Sequence, residues 1–170
     1  YFRNTMKSNY QILIVGGGLT SAHLSLGAIK RGAKVQLLLR RQLRSKLFDA
    51  DPGWLGPNYL KDFHRQTCWH HRLQSIQSAR NGGSITPALV YAMKQEENGG
   101  RLRLHEHCQV LRAQWCEDHW VVTLQPDGSE CHADRIWLTT GHQGDVTHHP
   151  LAAQLQAQRP IELIDDWPVL

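Results

Sequence analysis

No apolar run in this chain is long enough to cross a membrane as a helix, and no signal-peptide core opens it, so a cytoplasmic protein is expected. The four cysteines, Cys68, Cys108, Cys116 and Cys131, include no C-x-x-C pair. That absence speaks against a redox dithiol, and reduced, partly buried thiols are expected instead. There is no run of lysine and arginine and no interleaving of aromatic with basic residues, which argues against nucleic acid as a partner. Neither a nucleophile–base pair nor paired carboxylates stand out, and Asp165-Asp166 reads as an exposed turn. The net charge of +4 is modest and suits an anionic nucleotide.

What is present is the composition of one globular domain. The chain has 170 residues, 41% of them hydrophobic and 20% charged, enough for a real core. Eleven histidines is a high number. His70-His71, His105-x-His107-Cys108 and His148-His149 invite a metal reading, and His105 with His107 on a strand would share one face. No third and fourth ligand follows at a recognised spacing, so no metal is expected.

The organising stretch runs from Tyr10 to Arg41. Gln11 to Val15 is a short β-branched apolar run suited to the middle of a parallel sheet. Gly16, Gly17 and Gly18 follow at once, where the chain must reverse tightly and let bare backbone approach a pyrophosphate. Ala22, Ser25, Leu26 and Ile29 recur at helical spacing, giving one face to pack on the sheet. Gly32 stands where a left-handed C-terminal cap belongs, and Lys34 to Leu39 is the second strand. The result is a βαβ dinucleotide-binding unit. Its fingerprint departs from G-x-G-x-x-G at the third glycine, replaced by Ser21 and followed by Ala22, both small. At the end of the second strand stand Arg40 and Arg41 instead of the acid that would bind a ribose hydroxyl. A guanidinium there grips a 2′-phosphate with two charge-assisted hydrogen bonds, which favours NADP(H) over NAD(H) and over the adenosine end of FAD. The alternative for these two arginines is an ordinary solvated surface.

Gln42 to Gly83 is a long excursion. It opens a turn at Asp51-Pro52-Gly53, then gives a short helix from Pro57 and a second helical stripe through Trp69, Leu73, Ile76 and Arg80. Trp54, Phe63 and Trp69 are expected to pack it against a partner domain or to cover a substrate or cofactor. Thr86 with Pro87 predicts a capped helix ending at Gly99-Gly100. Leu102 to Glu106 then reads as a parallel strand. Val110–Cys116, His119–Leu124 and Cys131–Asp134 alternate at period two around turns at Glu117-Asp118 and Asp127-Gly128, predicting a three-stranded antiparallel meander. Arg135 to Leu138 is a last buried strand beside the first, ending at Thr139-Thr140-Gly141. The fold class is therefore α/β: a Rossmann-like parallel sheet with a meander (110–134) and a helical insertion (42–83) in a single domain spanning 1–170.

This order resembles the NADPH-binding domain of flavoproteins with two dinucleotide-binding domains. Within them it is similar to the flavin-dependent lysine and ornithine N-monooxygenases and to uncharacterised bacterial FAD/NAD(P)-binding oxidoreductases. The residues that carry the resemblance are Ile14 to Ala22, Arg40-Arg41, Asn81-Gly82-Gly83-Ser84 and Asp134 to Gly141. It implies that Gly16, Gly17, Gly18, Leu19, Thr20 and Ser21 hold the pyrophosphate and that Arg40 or Arg41 holds the 2′-phosphate. Thr140 and Gly141 join the same site, and Asn81 falls where such hydroxylases have an asparagine near the substrate. The implied cofactors are NADP(H) in this domain and FAD in a companion domain. No second glycine motif precedes Tyr10, so a partial domain is expected, one that binds nucleotide without turning over. Two other readings stay open: a glycine motif that holds FAD itself, and a non-catalytic nucleotide-sensing module.

Overall fold

Ile12, Leu13 and Ile14 are completely buried because the strand they occupy, β1 (Gln11–Val15), lies inside a parallel sheet covered on both faces. The coordinates are a computed structural model describing residues 10–80, 82–141 and 149–169. Two compact units are distinguished, 10–49 with 82–141 and 50–80 with 149–169.

In the first unit, β1 is flanked by β2 (Lys34–Leu38) and β7 (Arg135–Leu138), with β3 (Leu102–His105) beyond β2. All pairings are parallel and the order is β3-β2-β1-β7. Side chains alternate across the sheet. Ile12 and Ile14 face a core with Ala22, Ala28 and Ile29 of α1 (Leu19–Ile29), together with Met93 of α4 (Pro87–Asn98). Leu13 faces the opposite core with Leu38, Val122, Leu124, Cys131 and Ala133. That second core is shared with the meander β4 (Gln109–Cys116), β5 (His119–Gln125) and β6 (Glu130–Ala133), a separate antiparallel sheet. Helices, parallel sheet and meander thus form three layers. Each fully buried aliphatic side chain in them contributes about 2 kcal/mol of hydrophobic stabilisation.

The local signals act as expected at α1. Gly32 adopts φ +88°, its N–H donates to the Ile29 carbonyl, and Ala33 N–H donates to that of Ala28. These two bonds close a Schellman cap. Ser21 and Ser25, completely buried, satisfy their hydroxyls on the carbonyls of Gly18 and Ser21. Thr86 occupies the N-cap position of α4 with extended backbone, yet its hydroxyl makes no capping bond. Pro87 follows at the first turn and removes one donor that a cap would have served.

Two further expectations need correction. His105 closes β3, whereas His107 lies past the strand at φ +56°, so the pair shares no strand face. The excursion expected over 42–83 divides at Asp49. Residues 42–49 stay with the first unit because Ser45 bridges Ile85 in parallel, with Ile85 N–H donating to the Arg44 carbonyl and Lys46 N–H to that of Ile85.

The second unit contains a short 3-10 turn at Pro52–Leu55, α2 (Pro57–Arg65), α3 (Trp69–Arg80) and α5 (Pro150–Gln158). It ends in a hairpin of β8 (Leu163–Ile164) and β9 (Trp167–Pro168). Asp165 and Asp166, at φ +47° and +65°, make its turn, as their exposed-turn reading expects. The aromatic residues of this unit pack on one another. Trp54 meets Tyr59 at 5.6 Å and Phe63 edge-on at 5.8 Å between centroids. Arg72 lies 4.4 Å over Trp69, its guanidinium donating to the carbonyls of Gln66 and His64. Among the described residues no helix is long and apolar enough to cross a membrane.

His105 is half-buried against Gln36, whose amide oxygen lies 3.1 Å from His105 Nε2. Burial, with Arg103 nearby, holds its pKa below the ordinary 6.5. The unfolded chain therefore takes up the proton first. The stability His105 contributes is complete above pH 6.5 and is lost as pH falls from there through the lowered folded-state value. Urea midpoints measured from pH 7.5 to 5 are expected to fall, with a shallower fall in His105→Gln.

Candidate functional site

A cleft of about 580 Å³ opens in the first unit at the carboxyl ends of β1, β2 and β7. In open α/β sheets this edge is where ligands bind. Its floor is the glycine turn. Gly16 N–H donates to the Leu38 carbonyl at 3.0 Å, and the residue holds φ +142°. A Cβ on Gly16 would overlap the carbonyl and hydroxyl oxygens of Thr139. Thr139 in turn donates through its N–H and hydroxyl to the Val15 carbonyl at 2.8 and 2.9 Å. The first threonine of T-T-G is therefore a clamp on the end of β1, while Thr140 and Gly141 line the cleft. A Cβ on Gly17 would stand 2.9 Å from the Leu39 side chain.

Gly18 is the N-cap of α1, extended at φ −109°, and its carbonyl accepts from Ser21 Oγ at 2.6 Å and Ala22 N–H at 3.3 Å. No side chain caps the helix and its first turn holds no acid. The partial positive charge of the helix end is thus directed at the cleft, the arrangement that receives anions.

Of the expected residues, Gly16, Gly17, Gly18, Leu19, Thr20, Arg40, Arg41, Thr140 and Gly141 line this one cleft. Ser21 does not; it is buried beneath the turn, where its smallness lets α1 sit close and its hydroxyl ties Gly18. Asn81 lies outside the described residues. Arg44, Asp49 and Cys108 line the cleft too and had no signal in the sequence beyond the R-R-x-x-R spacing that brings Arg44 in. The charges among its described lining residues are three guanidinium groups and one carboxylate, so this part of the cleft is cationic. Asp49 Oδ1 accepts from Ser84 Oγ at 3.0 Å. The loop carrying the arginines is fixed by Leu43 N–H donating to Glu106 Oε1 at 2.8 Å and by Cys108 N–H donating to the Leu39 carbonyl at 3.0 Å.

The second unit has a concavity of about 540 Å³ between Trp54, Tyr59, His71 and Gln74. Among the described residues that line it there is no glycine, lysine, arginine or carboxylate. Among the described residues no three histidine, cysteine or acidic side chains converge as metal ligands. All four cysteines are free thiols, Cys131 buried and its pKa raised by that burial, Cys68 exposed.

No protein-family model matches the sequence, and no curated protein matches it. Solved structures do. An L-lysine 6-monooxygenase from Pseudomonas syringae superposes with a TM-score of 0.68 at 17% identity, over 95% of this chain and 43% of its own. A cadaverine monooxygenase of desferrioxamine biosynthesis from Erwinia amylovora, bound to FAD, gives 0.66 at 16% over 92% and 40%. An ornithine N-hydroxylase from Kutzneria, with reduced FAD, NADP⁺ and L-ornithine, gives 0.60 at 15% over 81% and 37%. What is shared is the fold. The chain spans roughly two fifths of the length of these enzymes, and the Rossmann-like α/β class expected from the sequence is the one observed.

Gly16→Ala places a Cβ against backbone at a φ that L side chains rarely adopt. It is expected to cost about 3 kcal/mol of stability, read as a lower urea midpoint at unchanged slope. Gly141→Ala, with no atom within 4 Å of the added Cβ, is expected to cost less.

Proposed function

We propose that this chain is the NADP(H)-binding domain of a FAD-dependent oxidoreductase of monooxygenase type, delivering hydride from NADPH to a flavin held by a domain outside these residues. One observation carries the reading: a bare glycine turn, an uncapped helix N-terminus and the arginines following β2 all open on one cleft. The fit to a dinucleotide is a matter of space and charge. Gly16 and Gly17 leave backbone uncovered where a side chain would collide with the protein. The backbone N–H groups at the start of α1 orient a pyrophosphate, with Leu19 and Thr20 beside it. Arg40 and Arg41 hold a 2′-phosphate, and a planar fork of donors suits that task better than a lysine ammonium. Arg44 adds to the same cationic wall. Thr140 and Gly141 bound the cleft beyond β7.

When bound, the nicotinamide supplies hydride to the flavin, whose own chemistry then handles oxygen. The chain's part is to bind and orient. Asp49, the one carboxylate among the described lining residues, is engaged by Ser84 and is not assigned as an acid or base. The amine and amino-acid hydroxylases with this fold support a monooxygenase-like partner chemistry. Asn81 is the position offered for a substrate contact. The isolated chain binds nucleotide without turnover, and its partner is the FAD-binding domain of the same protein.

Quenching of tryptophan fluorescence during titration with NADPH and NADH tests this. NADPH is expected to bind about tenfold more tightly, a difference of some 1.4 kcal/mol, and Arg40→Ala/Arg41→Ala is expected to remove the preference. Equal affinities in the wild type, or purification with stoichiometric flavin in the glycine cleft, would contradict the assignment.

A further inference from the structure

The cleft has a third wall that the nucleotide reading does not use. Gly82 and Gly83 line it, although they lie far along the chain from both the glycine turn and the arginines. A Cβ built on Gly83 would stand 2.8 Å from Gly18 Cα and 3.3 Å from Gly18 N. The two backbones therefore touch with no side chain between them. Gly18 is the residue from which α1 starts, so its place fixes the direction of the first free N–H groups of the helix. Gly82, at φ +84°, leaves bare the side that faces Arg41; a Cβ there would lie 3.3 Å from Arg41 Nη1.

This segment is itself anchored. Ser84 is buried and its hydroxyl donates to Asp49 at 3.0 Å. Ile85, completely buried, donates to the Arg44 carbonyl at 2.9 Å and accepts from Lys46 at 3.0 Å. The Gly82–Ser84 segment is thus tied to the arginine loop at one end and pressed on the glycine turn at the other.

We propose that Gly82–Gly83, pinned by Ser84 to Asp49, is a positioning brace for the dinucleotide: Gly83 sets the diphosphate turn through Gly18, and Gly82 sets the guanidinium of Arg41. The inference rests on the nucleotide reading and adds to it the residues that register its two anion subsites. The two glycines have separable signatures. Displacing Gly18 harms every dinucleotide, since all carry the diphosphate. Displacing Arg41 harms the one with a 2′-phosphate most. A merely structural role would leave the ratio of the two affinities unchanged when Gly82 is altered.

The test measures dissociation constants for NADPH and NADH, with urea midpoints alongside, in four variants. Gly83→Ala is expected to weaken both nucleotides alike, by about tenfold, because the displaced turn is common to them. Gly82→Ala is expected to weaken NADPH more than NADH and so to lower their ratio. Ser84→Ala is expected to weaken both by about threefold, with Ser84→Thr restoring affinity by returning the hydroxyl. Should Gly83→Ala fail to fold, the Ser84 pair decides: wild-type affinities in Ser84→Ala overturn the brace. So does a folded Gly83→Ala that binds both nucleotides as the wild type does, or an unchanged ratio in Gly82→Ala. Wild-type protein that binds neither nucleotide contradicts the proposed function and the brace together, whereas tight wild-type binding left intact by the variants contradicts the brace alone.

Discussion

The close approach of uncovered backbone at Gly16, Gly17 and Gly18 to three other segments is the constraint on which the rest of this unit depends. Thr139 after β7 and Leu39 after β2 occupy space that a Cβ on Gly16 or Gly17 would claim, and a Cβ on Gly83, at the end of the excursion, would stand 2.8 Å from Gly18 Cα. Those neighbours come from separate parts of the chain, and the parallel sheet brings two of them to the turn by placing β2 and β7 on either side of β1. The same crowding leaves the opposite side of the turn open. A cleft at the strand ends is therefore a consequence of how the sheet is closed.

Electrostatics then gives the cleft its character. The N-terminus of α1 carries no acidic residue and no side-chain cap, and the sole lining carboxylate among the described residues is occupied by Ser84. Three arginines stand on the other side of the balance. At physiological ionic strength the screening length is about 8 Å, so groups converging on one cleft act together where the same charges scattered over a surface would not. That convergence separates this site from the concavity of the second unit, which is comparable in size but whose described lining holds no lysine, arginine or carboxylate.

The sequence made part of this legible because some signals are local. The β1–turn–α1–β2 unit is written in adjacent residues: an apolar run, three glycines, a helical stripe and Gly32, whose left-handed cap forms as its position requires. The meander follows from period-two alternation around Glu117-Asp118 and Asp127-Gly128. What stayed hidden depends on pairing between distant segments. Ser45 bridging Ile85 divides the excursion at Asp49, and no pattern within 42–49 announces it. The place of Arg44, Asp49 and Cys108 on the cleft has the same origin. Thr86 shows the opposite failure: the right residue at the right position made no capping bond. His105 and His107 share no strand face because β3 ends at His105 and His107 turns away at φ +56°. The helix α5, opened by Pro150 in a stretch of glutamine, alanine and leucine, had no amphipathic stripe to reveal it.

The central proposal is that one cleft holds a diphosphate on its glycine turn and a second phosphate on Arg40 and Arg41. Calorimetric titration of the protein with adenosine 2′,5′-bisphosphate and with ADP, at low and at high salt, tests that claim most directly. The account predicts that both bind, that the 2′,5′ compound gains affinity from its 2′-phosphate, and that lowering the salt enlarges the gain. Binding of neither compound, or loss of each to Gly16–Gly18 variants without any effect of Arg40→Ala/Arg41→Ala on the 2′-phosphate, would contradict it.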